Sequence, residues 1–201
     1  MNATELFNNF NAVHIGKLLP AELCNFFTHI LLRNSVINPN CSDNQVPDAM
    51  TRMSHEIIFD TLLEKIWPVA EEITGEALVP TYSFARLYQN GNILEIHKDR
   101  PSCEISATIQ LGRSHHYAWP IFMGGKRFDM AEGDAVFYKG CEIKHWRDEC
   151  LGPDGYYSGQ VFLHYVRKNG PYAEDNFCDK KNRDPVKNMF VINRTFMMDA
   201  K

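Results

Sequence analysis

The chain carries an imidazole and a carboxylate two positions apart, in His97-Lys98-Asp99. Alternate residues of an extended segment project to the same side, so a strand entering here turns His97 and Asp99 toward one point. Those are two of the three donors of a two-histidine, one-carboxylate facial site, which leaves coordination positions open and suits non-haem iron(II). The third donor has to be a histidine from elsewhere. His145 is the leading candidate, because it follows the apolar segment DAVFYKG (134–140) after a short turn. His115, His116 and His164 compete with it. The first two sit in RSHHYAW and read equally well as surface residues, whereas His164 lies inside an apolar segment, where it can line a pocket without binding metal. HxD is common by chance, and alone it reads as a structural histidine. Its weight here comes from order: a strand, the turn pair Asn90-Gly91, HxD, then Gly133-Asp134, a strand, a turn and a histidine. Zinc accepts the same donors, but the sequence contains no HExxH and no base paired with the triad.

The elements that must hold these residues fall into two halves. In PAELCNFFTHILLR, Leu23, Phe26, Phe27, Ile30 and Leu31 recur at helical spacing. A loop rich in Asn, Asp, Ser and Pro follows. Then SHEIIFDTLLEKIWPVAEEITG carries the stripe Ile57, Ile58, Leu62, Ile66, Val69 and Ile73, closed by Gly75 and open to a kink at Pro68. From Leu78 the period becomes two. Tyr82, Phe84, Arg86 and Tyr88 share one face of a strand, with Ser83, Ala85 and Leu87 on the other. In CEISATIQLG, the residues Ile105, Ala107, Ile109 and Leu111 alternate with Glu104, Ser106, Thr108 and Gln110. WPIFMGGKRFDM reads as a hairpin about Gly124-Gly125, and SGQVFLHYV as a last strand. Helices first, then six to eight short strands with tight turns, predict an α+β fold whose strands form a sandwich or jelly roll.

Composition excludes several classes. The 201 residues are 44% hydrophobic and 23% charged, which fits one globular domain rather than a disordered or fibrous chain. The net charge of −4, with no basic block, argues against a nucleic-acid partner. No segment has the roughly 18 uninterrupted apolar residues of a membrane helix. The start MNATELFNNFNAVH lacks the basic and apolar regions of a secretory signal, so a cytoplasmic location and reduced cysteines are expected for Cys24, Cys41, Cys103, Cys141, Cys150 and Cys178. A Cys141–Cys150 disulfide is the exception to weigh, since that pair flanks His145.

Taken together, ARLYQNGNILEIHKDR, ISATIQLG and WPIFMGGKRFDMAEGDAVFYKGCEIKHW resemble the catalytic core of the iron(II)- and 2-oxoglutarate-dependent dioxygenases, within them the prolyl 4-hydroxylase type. The resemblance implies a double-stranded β-helix, or jelly roll, over 78–168. A mainly helical support region (1–77) would pack on its major sheet, with a C-terminal extension at 169–201, all in one domain. It implies iron(II) held by His97, Asp99 and His145, with 2-oxoglutarate and O2 as cosubstrates and ascorbate as an aid. The activity implied is hydroxylation of an unactivated C–H bond in a prolyl, peptidyl or amino-acid substrate. Tyr88 would hydrogen-bond 2-oxoglutarate, although it reads equally as a core tyrosine.

The chain departs from the family at one point. The basic residue usually found about ten positions after the distal histidine, facing the cosubstrate's far carboxylate, is missing: position 155 is Gly, and Ser158 and Gln160 are neutral. Arg147 is the preferred substitute, with Arg86 as the second candidate, and Gln160, Gln110 and His164 add neutral contacts. Arg147 reads equally as a surface arginine paired with Asp148 or Glu149. Arg100 either takes a substrate carboxylate or fixes its loop through Glu104. Trp119 and Trp146 are expected to pack the strands, Trp146 with the option of shaping the pocket, while Glu95 and Lys98 face solvent. Two other readings remain: a cupin-like barrel that binds metal without turnover, and a nucleic-acid-directed member of the same superfamily.

Overall fold

A computed structural model describes residues 1–39 and 43–173. Cys41, Cys178 and the part of the expected C-terminal extension beyond residue 173 lie outside the described residues. Three helices, α1 (Ala3–Phe10), α2 (Ala21–Ile37) and α3 (Ile57–Thr74), precede most of the sheet. Asn2 and Glu5 form a reciprocal capping box at the start of α1. Helix α3 runs through Pro68 and ends on Gly75, as the pattern predicts. Ten strands complete the fold: β1 (Ala12–Ile15), β2 (Thr51–Ser54), β3 (Leu78–Gln89), β4 (Leu94–His97), β5 (Ile105–Arg113), β6 (Ile121–Met123), β7 (Lys126–Phe128), β8 (Ala135–Tyr138), β9 (His145–Arg147) and β10 (Tyr157–Arg167).

The strands form two antiparallel sheets, one in the order β1-β8-β5-β10-β3-β2 and one in the order β4-β9-β6-β7. Seven of them fall where the period-two pattern places them. The other three are β9, a three-residue strand where only a turn and a histidine were expected, and β1 and β2, which lie in the half read as helix and loop and each close one edge of the large sheet. Four-residue strands carry too little alternation to stand out in sequence; the exposed edge of a longer neighbour makes them strands. The β6–β7 hairpin turns on Gly124 (φ 58°) and Gly125 (φ 81°), a pair of positive φ values that fits the twist of the hairpin and favours glycine.

The core sits mainly on the helix side of the large sheet. Phe27, Leu31, Phe59, Leu63, Ile105, Ala107, Ile109 and Leu163 pack in one buried cluster there. The inward face of α2 is offset from its predicted stripe. Cys24, Phe27, Thr28 and Leu31 are buried, whereas Leu23 and Phe26 are 41% and 53% exposed. Polar Thr28 faces the sheet because its hydroxyl donates to the Cys24 carbonyl and accepts the Gly112 N–H, both at 2.7 Å. Two smaller clusters join the sheets to each other: Tyr88, Leu94, Trp119 and Phe162 in one, Ile121, Met123, Val136 and Tyr138 in the other. The second face of β5 explains its alternation. Ser106, Thr108 and Gln110 are buried, not solvated. They form the polar floor between the sheets, where Gln160 donates to Gln110 at 2.5 Å and Thr108 donates to Gln160 at 3.2 Å.

Candidate metal centre

The small sheet brings His97 and His145 together by register: they are direct cross-strand partners on β4 and β9. Asp99 lies beyond the end of β4, yet its N–H still bonds the Gly140 carbonyl at 2.9 Å, so the alternation that aims His97 inward carries on through Asp99. His145 Nε2 stands 3.3 Å and His97 Nε2 3.7 Å from the same oxygen, Asp99 Oδ1. The two imidazole centroids are 4.2 Å apart. These three side chains are one group able to hold a metal ion among the described residues.

Both rings are held in one tautomer. His97 Nδ1 lies 2.7 Å from the Glu95 carbonyl and His145 Nδ1 3.2 Å from the Ile143 carbonyl. A carbonyl only accepts, so each Nδ1 carries the proton and each Nε2 turns a lone pair toward Asp99. Three electron-pair donors then converge, an arrangement satisfied by a proton or a metal ion. Ser106 steadies the other carboxylate oxygen, Oδ2, at 3.2 Å and reaches His164 Nδ1 at 2.9 Å. Burial alone would raise the Asp99 pKa, but His145, His164 and His97 outweigh it and keep the group a carboxylate below its ordinary range. Burial, then the neighbouring His145, pushes the His97 pKa below the usual imidazole value. Gly140 packs so tightly that a β-carbon there would collide with the Asp99 carboxylate and the Cys103 carbonyl.

A cavity of about 370 Å³ opens on this group, lined among others by Tyr82, Phe84, Arg86, Tyr138, Phe162 and His164. Asp99, Cys103 and His164 form a second possible donor set beside the first. Burial and Asp99 push the Cys103 thiol up to about 12, so it stays protonated.

No protein-family model and no curated protein sequence matches the chain. Solved structures do match. A prolyl-4-hydroxylase of Pseudomonas putida aligns over 84% of this chain and 98% of its own, with a TM-score of 0.62 and 15% identity. A 2OG-Fe(II) oxygenase family oxidoreductase of Burkholderia pseudomallei covers 85% and 91%, with a TM-score of 0.63 and 14% identity. HygX of Streptomyces hygroscopicus, solved with nickel and 2-oxoglutarate bound, covers 82% and 86%, with a TM-score of 0.59 and 10% identity. The chain has the fold of the 2-oxoglutarate- and iron(II)-dependent oxygenases.

Within this oxygenase fold the remaining candidates separate. His115 and His116 are exposed, and His164 lines the cavity. Arg147 is not a surface arginine. It follows His145 by two positions on β9, is 1% exposed and lies with its guanidinium 4.9 Å over the Trp119 ring. Its Nη1 donates to the Trp119 carbonyl at 2.5 Å, while Nε and Nη2 are buried without a hydrogen-bond partner among the described residues. Burial lowers its pKa. Tyr88, Gln160 and Arg147 are not among the residues that line the cavity; Arg86 and Arg100 are its lining arginines, and Arg86 donates to the Tyr88 hydroxyl at 2.9 Å.

Arg100 lies over the Tyr82 ring at 4.7 Å, and the Glu104 carboxylate is taken by Arg167 instead, at 2.6 Å. Trp146 stacks on Phe122 and does not line the cavity, whereas Trp119 packs edge-on against Tyr88. Cys24, Cys103, Cys141 and Cys150 are free thiols, so no Cys141–Cys150 bridge forms. Asp43 and Gln45, which the sequence did not single out, line the cavity from the α2–β2 connection. Ser106 was visible on the polar face of β5, but nothing local linked it to Asp99. No helix among the described residues is long and apolar enough to cross a membrane.

Proposed function

We propose that this chain is an iron(II)- and 2-oxoglutarate-dependent oxygenase that hydroxylates an unactivated C–H bond in a prolyl, peptidyl or amino-acid substrate. Its two sheets are read as the halves of a jelly roll closed around the site, in one domain. The observation that carries this reading is the pair of Nδ1–H bonds to backbone carbonyls, which aims both Nε2 lone pairs at the Asp99 carboxylate. Two neutral imidazoles and one carboxylate are a donor set that fits iron(II). His97, Asp99 and His145 would hold the ion, on the side of the group that faces the cavity. When bound with 2-oxoglutarate and O2, iron(II) supplies the oxidising power that an unactivated C–H bond requires.

The chain's own residues then have three tasks. Ser106 and the Asp99 backbone bond to Gly140 fix the carboxylate. Tyr88 and Arg147 would receive the far carboxylate of 2-oxoglutarate, reached past the cavity lining beside Arg86, with Gln160 as a neutral neighbour. The unpartnered Nε and Nη2 of Arg147 support that assignment, since a buried guanidinium with two idle donors has a fork free for an anion. The rings of Tyr82, Phe84 and Phe162 exclude water around the reacting carbon. The prolyl reading draws on two fold neighbours, the Pseudomonas enzyme and a viral collagen prolyl hydroxylase.

The test is direct. Purified protein with iron(II), ascorbate and 2-oxoglutarate is expected to release succinate, and His97→Ala to lose both metal retention and turnover. Normal turnover by that variant contradicts the ligand assignment. Metal binding with no response to 2-oxoglutarate favours a metal-binding barrel without catalysis.

A further inference from the structure

Arg86 is a buried cation on the cavity wall to which the proposed chemistry assigns no task. It is 2% exposed. Its Nη1 donates to the Tyr88 hydroxyl, its Nη2 donates to Asp43 Oδ2 at 2.6 Å and Gln45 Oε1 at 3.0 Å, and its Nε is buried without a partner among the described residues. A guanidinium taken out of water needs an anion. The anion here comes from the connection between α2 and β2, not from the sheet. Val46 and Ala49 pin that connection into the cluster around Tyr88 and Trp119. Asp43 Oδ1 accepts the N–H groups of Gln45 and Val46, so residues 43–46 form a compact strap.

The same strap reaches the metal group. The Gln45 amide nitrogen lies 2.9 Å from His97 Nε2, the atom that must face a metal ion, while its carbonyl oxygen takes Arg86 Nη2. One planar carboxamide therefore spans the gap from His97 to Arg86. A carboxamide is the neutral isostere of a carboxylate, and Asp43 beside it is a carboxylate. The geometry points to the strap as a built-in surrogate ligand: Asp43 and Gln45 hold the place that a ligand's carboxylate takes between Arg86 and His97, and the ligand binds by displacing them. The ligand class is a small molecule or peptide with a free carboxylate close to the metal. Such a group satisfies Arg86 better than the strap does, because it can engage Nη2 and the idle Nε together as a fork.

The inference rests on the proposed metal site only through Gln45; the Arg86 half stands without a metal, and the experiment begins there. Hydrogen exchange over residues 43–50 of the metal-free full-length protein is followed with acetate as the probe and acetamide as its neutral isostere. Acetate is expected to raise exchange and acetamide to leave it unchanged. Asp43→Asn, which keeps an oxygen for the turn but removes the competing charge, is expected to tighten acetate binding at least about fivefold. Gln45→Ala is expected to tighten nickel(II) binding several-fold while leaving the Arg86–Asp43 pair intact.

Two further arms identify the source of the carboxylate. Release of the strap by 2-oxoglutarate with nickel(II) assigns Arg86 to the cosubstrate. Release only when acetate is added to protein saturated with both assigns it to the substrate. Equal exchange with acetate and acetamide, or no gain in either variant, overturns the inference. A wild-type protein that binds no nickel(II) yet responds to acetate removes the metal reading and leaves the Arg86 assignment standing.

Discussion

Arg147 poses the sharpest energetic question at the residue scale. A guanidinium buried to 1% exposure, with one bond to a carbonyl and two idle nitrogens, costs free energy in the absence of an anion. Replacing it with an apolar side chain of similar length removes that cost. Arg147→Met is therefore expected to keep or raise the melting temperature of the ligand-free protein, while weakening 2-oxoglutarate binding by about a hundredfold, the scale of a lost charged, buried bond. Calorimetry on both proteins checks the two halves. A lowered melting temperature with unchanged affinity would mean that Arg147 serves packing alone. Gly140 tests the carboxylate. An added methyl there meets Asp99 and the Cys103 carbonyl, both in the wall of the site. Gly140→Ala is expected to displace Asp99 and weaken metal binding tenfold or more in a titration with nickel(II), with far-UV circular dichroism unchanged.

At the scale of elements, the turn leading into β8 carries a titratable brace. Asp134 Oδ1 accepts the Lys17 N–H, and Oδ2 accepts the Ala131 N–H and faces His14 Nε2, all at 2.9 Å, tying β1 and its following turn to β8. Burial alone would raise the Asp134 pKa, but the Lys17 and Ala131 amides and His14 outweigh it and hold it below 3.8. A carboxyl depressed in the folded state stabilises fully above its unfolded pKa, and that contribution is lost as pH falls through the folded value. The wild-type protein is thus expected to lose stability below about pH 4. Asp134→Asn, which cannot accept at both ends, is expected to be less stable at pH 7 by about 1–2 kcal/mol and to show a flatter acid limb in urea titrations. Equal acid limbs would show that the brace contributes nothing.

Legibility in the sequence followed the same physics. The polar face of β5 and the apolar face of β10 repeat every second residue over long strands, so both were readable. Leu23 and Phe26 misled because apolar spacing marks a helix but not which of two adjacent stripes turns inward; the Thr28–Gly112 bond decides that from 84 residues away.

At the scale of the whole molecule, the candidate metal group is assembled by one sheet, its floor by the other, and its roof by a loop. His97 and Asp99 were legible because two-residue spacing on a strand is local. His145 was legible only through the order of segments, since register with β4 is a tertiary fact. Asp43 and Gln45 left no local signal, because their position depends on Val46 and Ala49 finding the cluster between the sheets. The fold neighbours share this architecture at 15% identity and below, so packing pattern and not residue identity is what they have in common.

The most direct measurement is a crystal soaked without oxygen in iron(II) and 2-oxoglutarate, with the metal located by its anomalous signal. One peak is expected, bounded by His97 Nε2, His145 Nε2 and Asp99, with the cosubstrate's far carboxylate against Arg147. A peak among Asp99, Cys103 and His164, or no peak at either group, would contradict the ligand assignment.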